Sequence, residues 1–320
     1  VQNGKQVTVL MEVKARFDEA NNILMARRLE KAGAHVIYGL VGLKTHSKCT
    51  LVIRREKDGI RRYVHVATGN YNASTAKLYT DLGILTCSDR FGIDASAFFN
   101  LLSGYSDPPI WDSFIVAPIN LRQRCIELID REIHFAKNGE DAHMIAKMNS
   151  LLDKGIIEKL YEASQAGVKI ELIVRGICVL IPGIPGVSDN ITVRSIVGRF
   201  LEHSRIFWFR NGGREELYIS SADWMPRNLN DRVELMVPIE DPEIKRRLKQ
   251  MVDIELSDNQ KAHIMQADGT WLKTISAENQ LCAQEYFQKI AEKRDAEDEM
   301  TLAQKLEPYT PVLGHGDGSD

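Results

Sequence analysis

A tripeptide that occurs twice in near-identical settings constrains the fold of this chain more than any other feature. His46-Ser47-Lys48 lies in the first third of the sequence, and His203-Ser204-Arg205 lies in the second. Each follows a short apolar stretch and opens another, so each histidine is predicted to lie at the start of a strand. The basic residue two positions on then shares one face of that strand with the histidine. Two such pairs predict a duplicated unit that presents an imidazole beside a fixed positive charge.

The repeat extends well beyond the tripeptide. After each histidine come an apolar strand, a tight-turn signal and a second strand, which is the pattern of a β-hairpin. The turn signals are Asp58-Gly59 and Asn211-Gly212-Gly213, and closing strands are predicted at residues 84–87 and 233–238. We therefore expect two lobes of one design, related by a pseudo-twofold axis, with both motifs facing one cleft.

Strands that alternate with helices in both halves predict an α/β fold with mixed β-sheets flanked by helices. A chain of 320 residues is long enough for about two domains. The stretch 104–111 breaks regular structure and is the best candidate for a boundary. The predicted domains are therefore residues 1–113 and residues 114–320, with helices at the end of the second. Because the chain opens on Val1 just before a predicted strand, we expect the first domain to be truncated at its N-terminus.

Composition narrows the class of protein. A net charge of −3 argues against a general affinity for polyanions such as nucleic acid, although it allows a local basic groove. The sequence has no apolar run of the roughly 20 residues that a membrane-spanning helix needs. The five cysteines are scattered without a C-x-x-C pair and no signal peptide is present, which favours the cytoplasm. Neither a P-loop nor a dinucleotide-binding fingerprint occurs.

The residue types at the two motifs suit phosphoryl chemistry. A neutral imidazole is a competent nucleophile towards phosphorus once cations neutralise the phosphate oxygens. Lys48 and Arg205 are the candidate cations beside the histidines. Arg16 and Arg175, each at the end of its lobe's first strand, add donors that match phosphate oxygens. With one histidine on each side of the phosphorus, the first can attack in line while the second protonates the leaving oxygen.

Each histidine also needs a partner that fixes its tautomer. Asp81 and either Asp231 or Glu234 lie on the closing segments and could orient the two histidines, within a lobe or crosswise between lobes. A metal cluster at the motifs is disfavoured, because no second histidine, cysteine or carboxylate stands at ligand spacing beside either histidine.

Several segments resemble the C-terminal half of bacterial polyphosphate kinases of the type that makes long-chain polyphosphate. The matching segments are residues 44–48, 68–72, 175–178, 195–205 and 220–225. The resemblance covers nearly the whole chain, and it implies two domains similar to phospholipase D, whose signature is His-x-Lys-x4-Asp. Ile53 and Arg210 stand here at the two aspartate positions. This departure disfavours phospholipase or nuclease activity and favours the kinase branch.

The resemblance also implies roles for individual residues. His46 matches the histidine that takes the γ-phosphoryl group of ATP, and His203 matches the second active-site histidine. Tyr79 corresponds to an aromatic residue that contacts adenine, and Arg175 to an arginine that binds the phosphates of ATP. Arg16 matches a position associated with a Mg²⁺ site. A guanidinium cannot ligate a cation, so we expect Arg16 to hold the phosphate ligands of the metal.

Taken as a whole, the resemblance implies reversible transfer of the ATP γ-phosphate to inorganic polyphosphate, with Mg²⁺ as cofactor and ATP, ADP and polyphosphate as partners. It further implies a homo-oligomer for the full-length protein and is compatible with peripheral membrane association. Two alternatives stay open. One is a phosphodiesterase of the phospholipase D type, and the other is a catalytically silent module that binds polyphosphate.

Overall fold

The computed structural model describes residues 1–12, 19–104 and 110–305, with side chains as far as residue 294. The strands are β1 (Thr8–Met11), β2 (His35–Tyr38), β3 (Lys44–Thr45), β4 (Lys48–Glu56), β5 (Gly59–Ala67), β6 (Tyr79–Thr80), β7 (Gly83–Thr86), β8 (Ile115–Ala117), β9 (His143–Met148), β10 (Lys169–Val174), β11 (Ile191–Ile196), β12 (Leu201–Glu202), β13 (Arg205–Phe209), β14 (Glu216–Ser220), β15 (Arg232–Pro238), β16 (Ala262–Met265) and β17 (Trp271–Lys273). The helices are α1 (Glu19–Lys31), α2 (Ala73–Ala76), α3 (Asp89–Leu102), α4 (Leu121–Lys137), α5 (Lys154–Gln165), α6 (Pro226–Asn230), α7 (Pro242–Leu256) and α8 (Ala283–Lys305).

The first lobe is built on a small antiparallel sheet. Strands β4, β5 and β7 pair in that order, and the β4–β5 hairpin turns at Asp58-Gly59 as the sequence predicts. Gly59 has a φ of 132°, a backbone conformation that residues with a side chain rarely adopt. Helix α3 packs its apolar face, including Phe91 and Phe98, in one core cluster with Val64 and Val66 of β5. Helix α3 therefore packs against the hairpin that begins at Lys48 and stabilises its position.

The second lobe contains most of the large sheet. Of the described strands, ten form one mixed sheet in the order β17-β16-β11-β10-β9-β13-β14-β15-β3, with β8 beside β15. Strands β9, β10 and β11 run parallel, and β13 and β14 form the second predicted hairpin. Helices α4 and α5 pack against one face, and α7 contributes to the cluster on the other. Both faces of the central strands are buried, which is why those strands are almost continuously apolar.

Two short strand pairs join the lobes crosswise. Strand β3 of the first lobe runs parallel to β15 of the second, with Lys44 opposite Arg232 and Thr45 opposite Val233. Strand β12 of the second lobe runs parallel to β6 of the first in the corresponding way. Each of these short strands ends directly before a motif histidine. The two lobes thus exchange equivalent strands, which is the arrangement expected of a pseudo-twofold pair around one cleft.

Candidate active site

The first histidine is held by a carboxylate of the opposite lobe. The register of β3 against β15 places His46 beside Glu234, and its Nδ1 lies 2.8 Å and 2.9 Å from the two carboxylate oxygens. The backbone N–H groups of His46 and Ser47 donate to the carbonyl of Val233 at 3.0 Å and 2.9 Å. Glu234 is fully buried, and the hydroxyl of Ser221 donates to it as well. The Nδ1 of His46 is thereby engaged, which leaves Nε2 as the atom able to react.

The second histidine shows the same arrangement with the lobes interchanged: the histidine belongs to the second lobe and its carboxylate to the first. The Nδ1 of His203 lies 2.9 Å from both carboxylate oxygens of Asp81, which follows β6. The hydroxyl of Thr68 donates to Asp81 at 2.6 Å, just as Ser221 serves the other carboxylate. A Cβ atom at Gly69 would lie 2.2 Å from the Asp81 carboxyl group, so this position requires glycine. Both imidazoles are therefore oriented crosswise between the lobes.

A buried cation accompanies each histidine. The ammonium group of Lys48 donates to the backbone carbonyl of His46, and the guanidinium of Arg205 donates to that of His203 at 2.6 Å. Arg205 also forms a two-point ion pair with Asp223, at 3.0 Å and 3.2 Å. Both cations are over nine-tenths buried. The prediction that each histidine starts a strand is wrong, because each histidine lies in a two-residue gap between two strands and the cation is the first residue of the second strand. A cation therefore lies beside each histidine, and the charge of Arg205 is balanced by Asp223.

Burial changes the titration of these groups. Removal from water lowers the pKa of His46 to about 4, against the opposing attraction of Glu234. Desolvation also lowers the pKa of Lys48 to about 8 and moves the pKa of His203 downwards. Desolvation opposes ionisation of Asp81, but hydrogen bonds from His203 and Thr68 hold the pKa of that carboxyl below its usual value. At neutral pH, His46 is a neutral imidazole with a free lone pair on Nε2.

The two histidine–carboxylate pairs share one electrostatic environment. After desolvation, the charges that act on Lys48 are those of Glu234, Arg205 and Asp81, which belong to both lobes. The positive charge of Lys48 also lowers the pKa of both histidines. The crosswise strand pairs β3–β15 and β12–β6 place each histidine on a carboxylate of the other lobe, so the two motifs lie side by side.

The remaining residues singled out from the sequence lie at varying distances from this centre. The ring centroid of Tyr79 lies 5.0 Å from that of His203, and the side chain is half-buried. Arg175 donates to the side-chain carbonyl of Asn149, whose backbone N–H in turn donates to Asp223 at 2.7 Å. Arg175 thus connects through one hydrogen-bonded chain to the cation beside the second histidine.

Two candidates are not brought into the described site. Asp231, the alternative to Glu234, is exposed, and its backbone carbonyl accepts from the N–H of Lys44 at 3.1 Å. The carboxylate beside His46 is that of Glu234, because the parallel register sets residue 46 opposite residue 234. Arg16 lies in the stretch 13–18, outside the described residues.

The sequence analysis missed three groups that support the site. Thr68 and Ser221 each lie thirteen positions before the carboxylate they serve, and each also accepts the N–H of the residue after that carboxylate, at 3.0 Å. This repeated spacing is the signal that could have revealed them. Arg232 lies 3.9 Å from Glu234 and adds a third positive charge. Arg232 starts β15, and only the pairing of β15 with β3 of the other lobe shows that this position lies near His46.

The architecture defines a class of protein before any activity is considered. The fold is similar to that of the phosphatidylserine synthase of Haemophilus influenzae, with a TM-score of 0.52 at 12% identity over 92% of this chain and 82% of that one. It is more similar to the polyphosphate kinase of Porphyromonas gingivalis, with a TM-score of 0.85 at 37% identity over 92% of this chain and 45% of that chain. The predicted α/β fold with mixed β-sheets flanked by helices is confirmed.

Sequence comparison is more specific. Residues 1–108 match the family model for polyphosphate kinase C-terminal domain 1, and residues 114–284 match that for C-terminal domain 2. The polyphosphate kinase of Synechocystis sp. is 56% identical over 295 residues, which cover 91% of this chain and 40% of that protein. That of Halalkalibacterium halodurans is 61% identical over 261 residues, covering 82% and 37%. The chain belongs to the polyphosphate kinase family, and it spans about two fifths of the length of these relatives.

Proposed function

We propose that the protein containing this chain is an ATP–polyphosphate phosphotransferase, a polyphosphate kinase, that works through a phosphohistidine on His46. The observation that carries this proposal is a half-buried imidazole, neutral at pH 7, whose Nδ1 is held by Glu234 and which lies beside one cation from each lobe, Lys48 and Arg232. The proposed reaction is reversible, because it exchanges one energy-rich phosphate bond for another. The division into domains 1–113 and 114–320 stays a prediction.

In the first half-reaction, Nε2 of His46 attacks the γ-phosphorus of ATP, a nitrogen–phosphorus bond forms, and the bond to the bridging oxygen of ADP breaks. Lys48 and Arg205 stabilise the charge that builds on the phosphoryl oxygens. The negative charge of bound phosphates favours protonation of His203, which Asp81 orients, so that its Nε2–H can donate to the leaving oxygen. In the second half-reaction, the terminal phosphate of polyphosphate attacks the phosphohistidine and frees His46.

The other candidate residues are assigned to contacts with ATP and its phosphates. We propose that Tyr79 contacts adenine, since its half-buried ring lies beside His203. Arg175 would bind phosphates of ATP, because its guanidinium lies on the chain of hydrogen bonds that leads to Arg205. Arg16 is proposed, by resemblance, to contact the phosphates that carry the metal.

Mg²⁺ is the cofactor that the resemblance implies. Among the residues that the structure describes, no group of three or more His, Cys, Asp or Glu side chains could hold a metal ion. The carboxylates of the site, Asp81 and Glu234, are engaged by histidines. These residues therefore provide no protein cage, which agrees with the tendency of Mg²⁺ to be bound largely by substrate phosphates.

Within the described ranges, no helix has both the length and the apolar character needed to cross a bilayer. Cytoplasmic location stays a prediction from the cysteine pattern and the absence of a signal peptide in the sequence. Peripheral membrane association and homo-oligomerisation of the full-length protein stay predictions from the resemblance.

The test uses the intact protein as its gene encodes it, incubated with ATP labelled in the γ-phosphate. We expect acid-labile, base-stable label on the wild type and none on His46→Asn, with polyphosphate formed when a primer is added. Release of phosphatidic acid or nucleotides from diesters would instead support a phosphodiesterase. Polyphosphate binding that survives His46→Asn, without turnover by the wild type, would support a silent binding module.

A further inference from the structure

A buried ionic cluster lies directly behind the second histidine. Lys147 of β9 is 1% exposed, and its ammonium group contacts Glu202 at 2.7 Å and also Glu255 of α7. Both carboxylates are nearly fully buried as well. Burial of three charges costs several kcal/mol per ion before pairing offsets it, so such clusters are weak evidence for stability alone. A functional reason for this one is therefore worth seeking.

Glu202 makes contacts that reach the catalytic pair. It directly precedes His203, and its carboxylate accepts from the hydroxyl of Thr80 at 2.9 Å. Thr80 in turn directly precedes Asp81, the carboxylate that orients the histidine. The side-chain bond between Glu202 and Thr80 therefore links β12 to β6 at their last paired residues. Any slippage between these two strands would separate the imidazole from its carboxylate.

The first turn of α8 holds the same segment from the other side. Gln284 donates to Glu202 at 2.7 Å and to the backbone carbonyl of Phe200 at 2.8 Å, and it accepts from the N–H of Phe200 at 3.0 Å. A Cβ atom at Gly198 would lie 2.4 Å from the side-chain oxygen of Gln284, so the backbone approaches this side chain closely. The segment 198–202, which ends directly before His203, is thus held by Thr80 and Lys147 on one side and by Gln284 on the other.

The equivalent position in the first lobe carries a different side chain. Thr45 takes the place of Glu202 before His46, and its hydroxyl is buried with no hydrogen-bond partner among the described residues. The N–H of Thr45 donates to Glu12 at 2.9 Å. The strand residue before His46 is therefore held by a different set of groups from the residue before His203.

We propose that Glu202, held by Lys147 and Gln284, is a positioning residue that keeps the imidazole of His203 aligned with Asp81 for phosphoryl transfer. This inference rests on the proposed function. Glu202 does not touch the substrate and acts through the histidine that follows it. Lys147 contacts both Glu202 and Glu255, and burial raises the pKa of Glu255 to about 7, so the cluster holds Glu202 in place with little net negative charge beside a site that must bind phosphates.

The test is a double-mutant cycle in the intact protein, read as the single-turnover rate of label transfer from γ-labelled ATP to His46. Glu202→Ala should slow this rate roughly 10- to 100-fold, as loss of a supporting partner typically does, with the KM for ATP nearly unchanged. In a His203→Ala background, the same substitution should cause no further slowing, because its effect passes through that histidine. Equal slowing in both backgrounds would overturn the proposal.

Two further variants separate positioning from general loss of stability. Thr80→Val removes the hydroxyl that joins the strands and should show the same dependence on His203, even if Glu202→Ala fails to fold. Glu132→Gln is a matched control, since Glu132 is fully buried and accepts backbone N–H groups of Asn211 at 2.7 Å and His143 at 3.3 Å. It should lower the thermal midpoint without slowing transfer. Comparable slowing by Glu132→Gln would contradict the inference, whereas absence of label on the wild type would defeat the proposed function itself.

Discussion

The depressed pKa of His46 predicts a specific sensitivity to acid. In the unfolded chain this imidazole titrates near its ordinary value of 6.5, whereas burial in the folded protein lowers the pKa to about 4. Between these two values the unfolded state binds the additional proton. The contribution of neutral His46 to stability is therefore fully present above about pH 6.5 and is lost as the pH falls towards 4.

The size of this effect follows from the two pKa values. One pKa unit corresponds to about 1.4 kcal/mol, so the whole shift from 6.5 to about 4 is worth about 3 kcal/mol. Near pH 5, where most of the unfolded chains are protonated at this position and most folded ones are not, about 2 kcal/mol of that is already lost. The free energy of unfolding should fall by this amount relative to a variant without the imidazole.

The assay is urea unfolding of the wild type and of His46→Gln, each near pH 8 and near pH 5. The difference in free energy of unfolding between the two proteins at pH 8 measures the effects of the substitution that do not depend on protonation, and it is subtracted from the difference at pH 5. We expect the wild type to lose about 2 kcal/mol more than the variant on acidification. Equal losses, or an NMR titration of His46 with a midpoint near 6.5, would refute the reasoning.

Three other substitutions test the site. Glu234→Gln should slow phosphorylation of His46 by roughly 10²- to 10⁴-fold in a folded protein, because an amide no longer fixes the tautomer; a rate within twofold of the wild type would contradict this. Gly69→Ala should abolish most turnover by displacing Asp81, whereas Gly155→Ala in α5, where a Cβ meets ordinary contacts at 3.6 Å, should be tolerated; equal activities would refute the steric argument. Lys147→Met should lower the free energy of unfolding by about 3 kcal/mol or more, since it leaves buried carboxylates unpaired; an unchanged urea midpoint would count against that pairing.

Much of the architecture follows from the repeat in the sequence. Both hairpins form where the strand-turn-strand pattern predicts them, and the closing strand predicted at 233–238 is β15 (Arg232–Pro238). The alternation of apolar residues and the Asp-Gly and Asn-Gly turns are local signals, so they can be read from one sequence. The crosswise exchange of strands is a contact between distant segments and was not predicted. The sequence left open only whether the carboxylates orient the histidines within a lobe or crosswise.

The prediction that Arg175 follows the first strand of its lobe is wrong, because β8 and β9 precede β10. The central strand β9 was not predicted from the sequence, for a physical reason. Its sequence, from His143 to Met148, contains Lys147, a residue that is rarely buried. The partners that permit burial, Glu202 and Glu255, lie 55 and 108 positions away and cannot be matched from sequence spacing. A charged residue inside a core strand therefore conceals the strand until its partners are located in space.

The choice between Asp231 and Glu234 could have been made from the sequence. Thr68 precedes Asp81 by thirteen positions, and Ser221 precedes Glu234 by the same interval. A repeat search that included hydroxyl residues would have selected Glu234. The roles of the two histidines could not be assigned in the same way, because the structure orients both histidines equivalently. The assignment of His46 as nucleophile rests on family resemblance and stays a prediction.

A pulse-chase measurement tests the central claim most directly. The intact protein is labelled briefly with γ-labelled ATP, separated from nucleotide, and divided between excess ADP and excess polyphosphate. We predict that label bound to His46, located by peptide mapping, moves quantitatively into ATP in the first portion and into polyphosphate in the second. Label on another residue, or label on His46 that neither acceptor removes at the rate of turnover, would contradict the account.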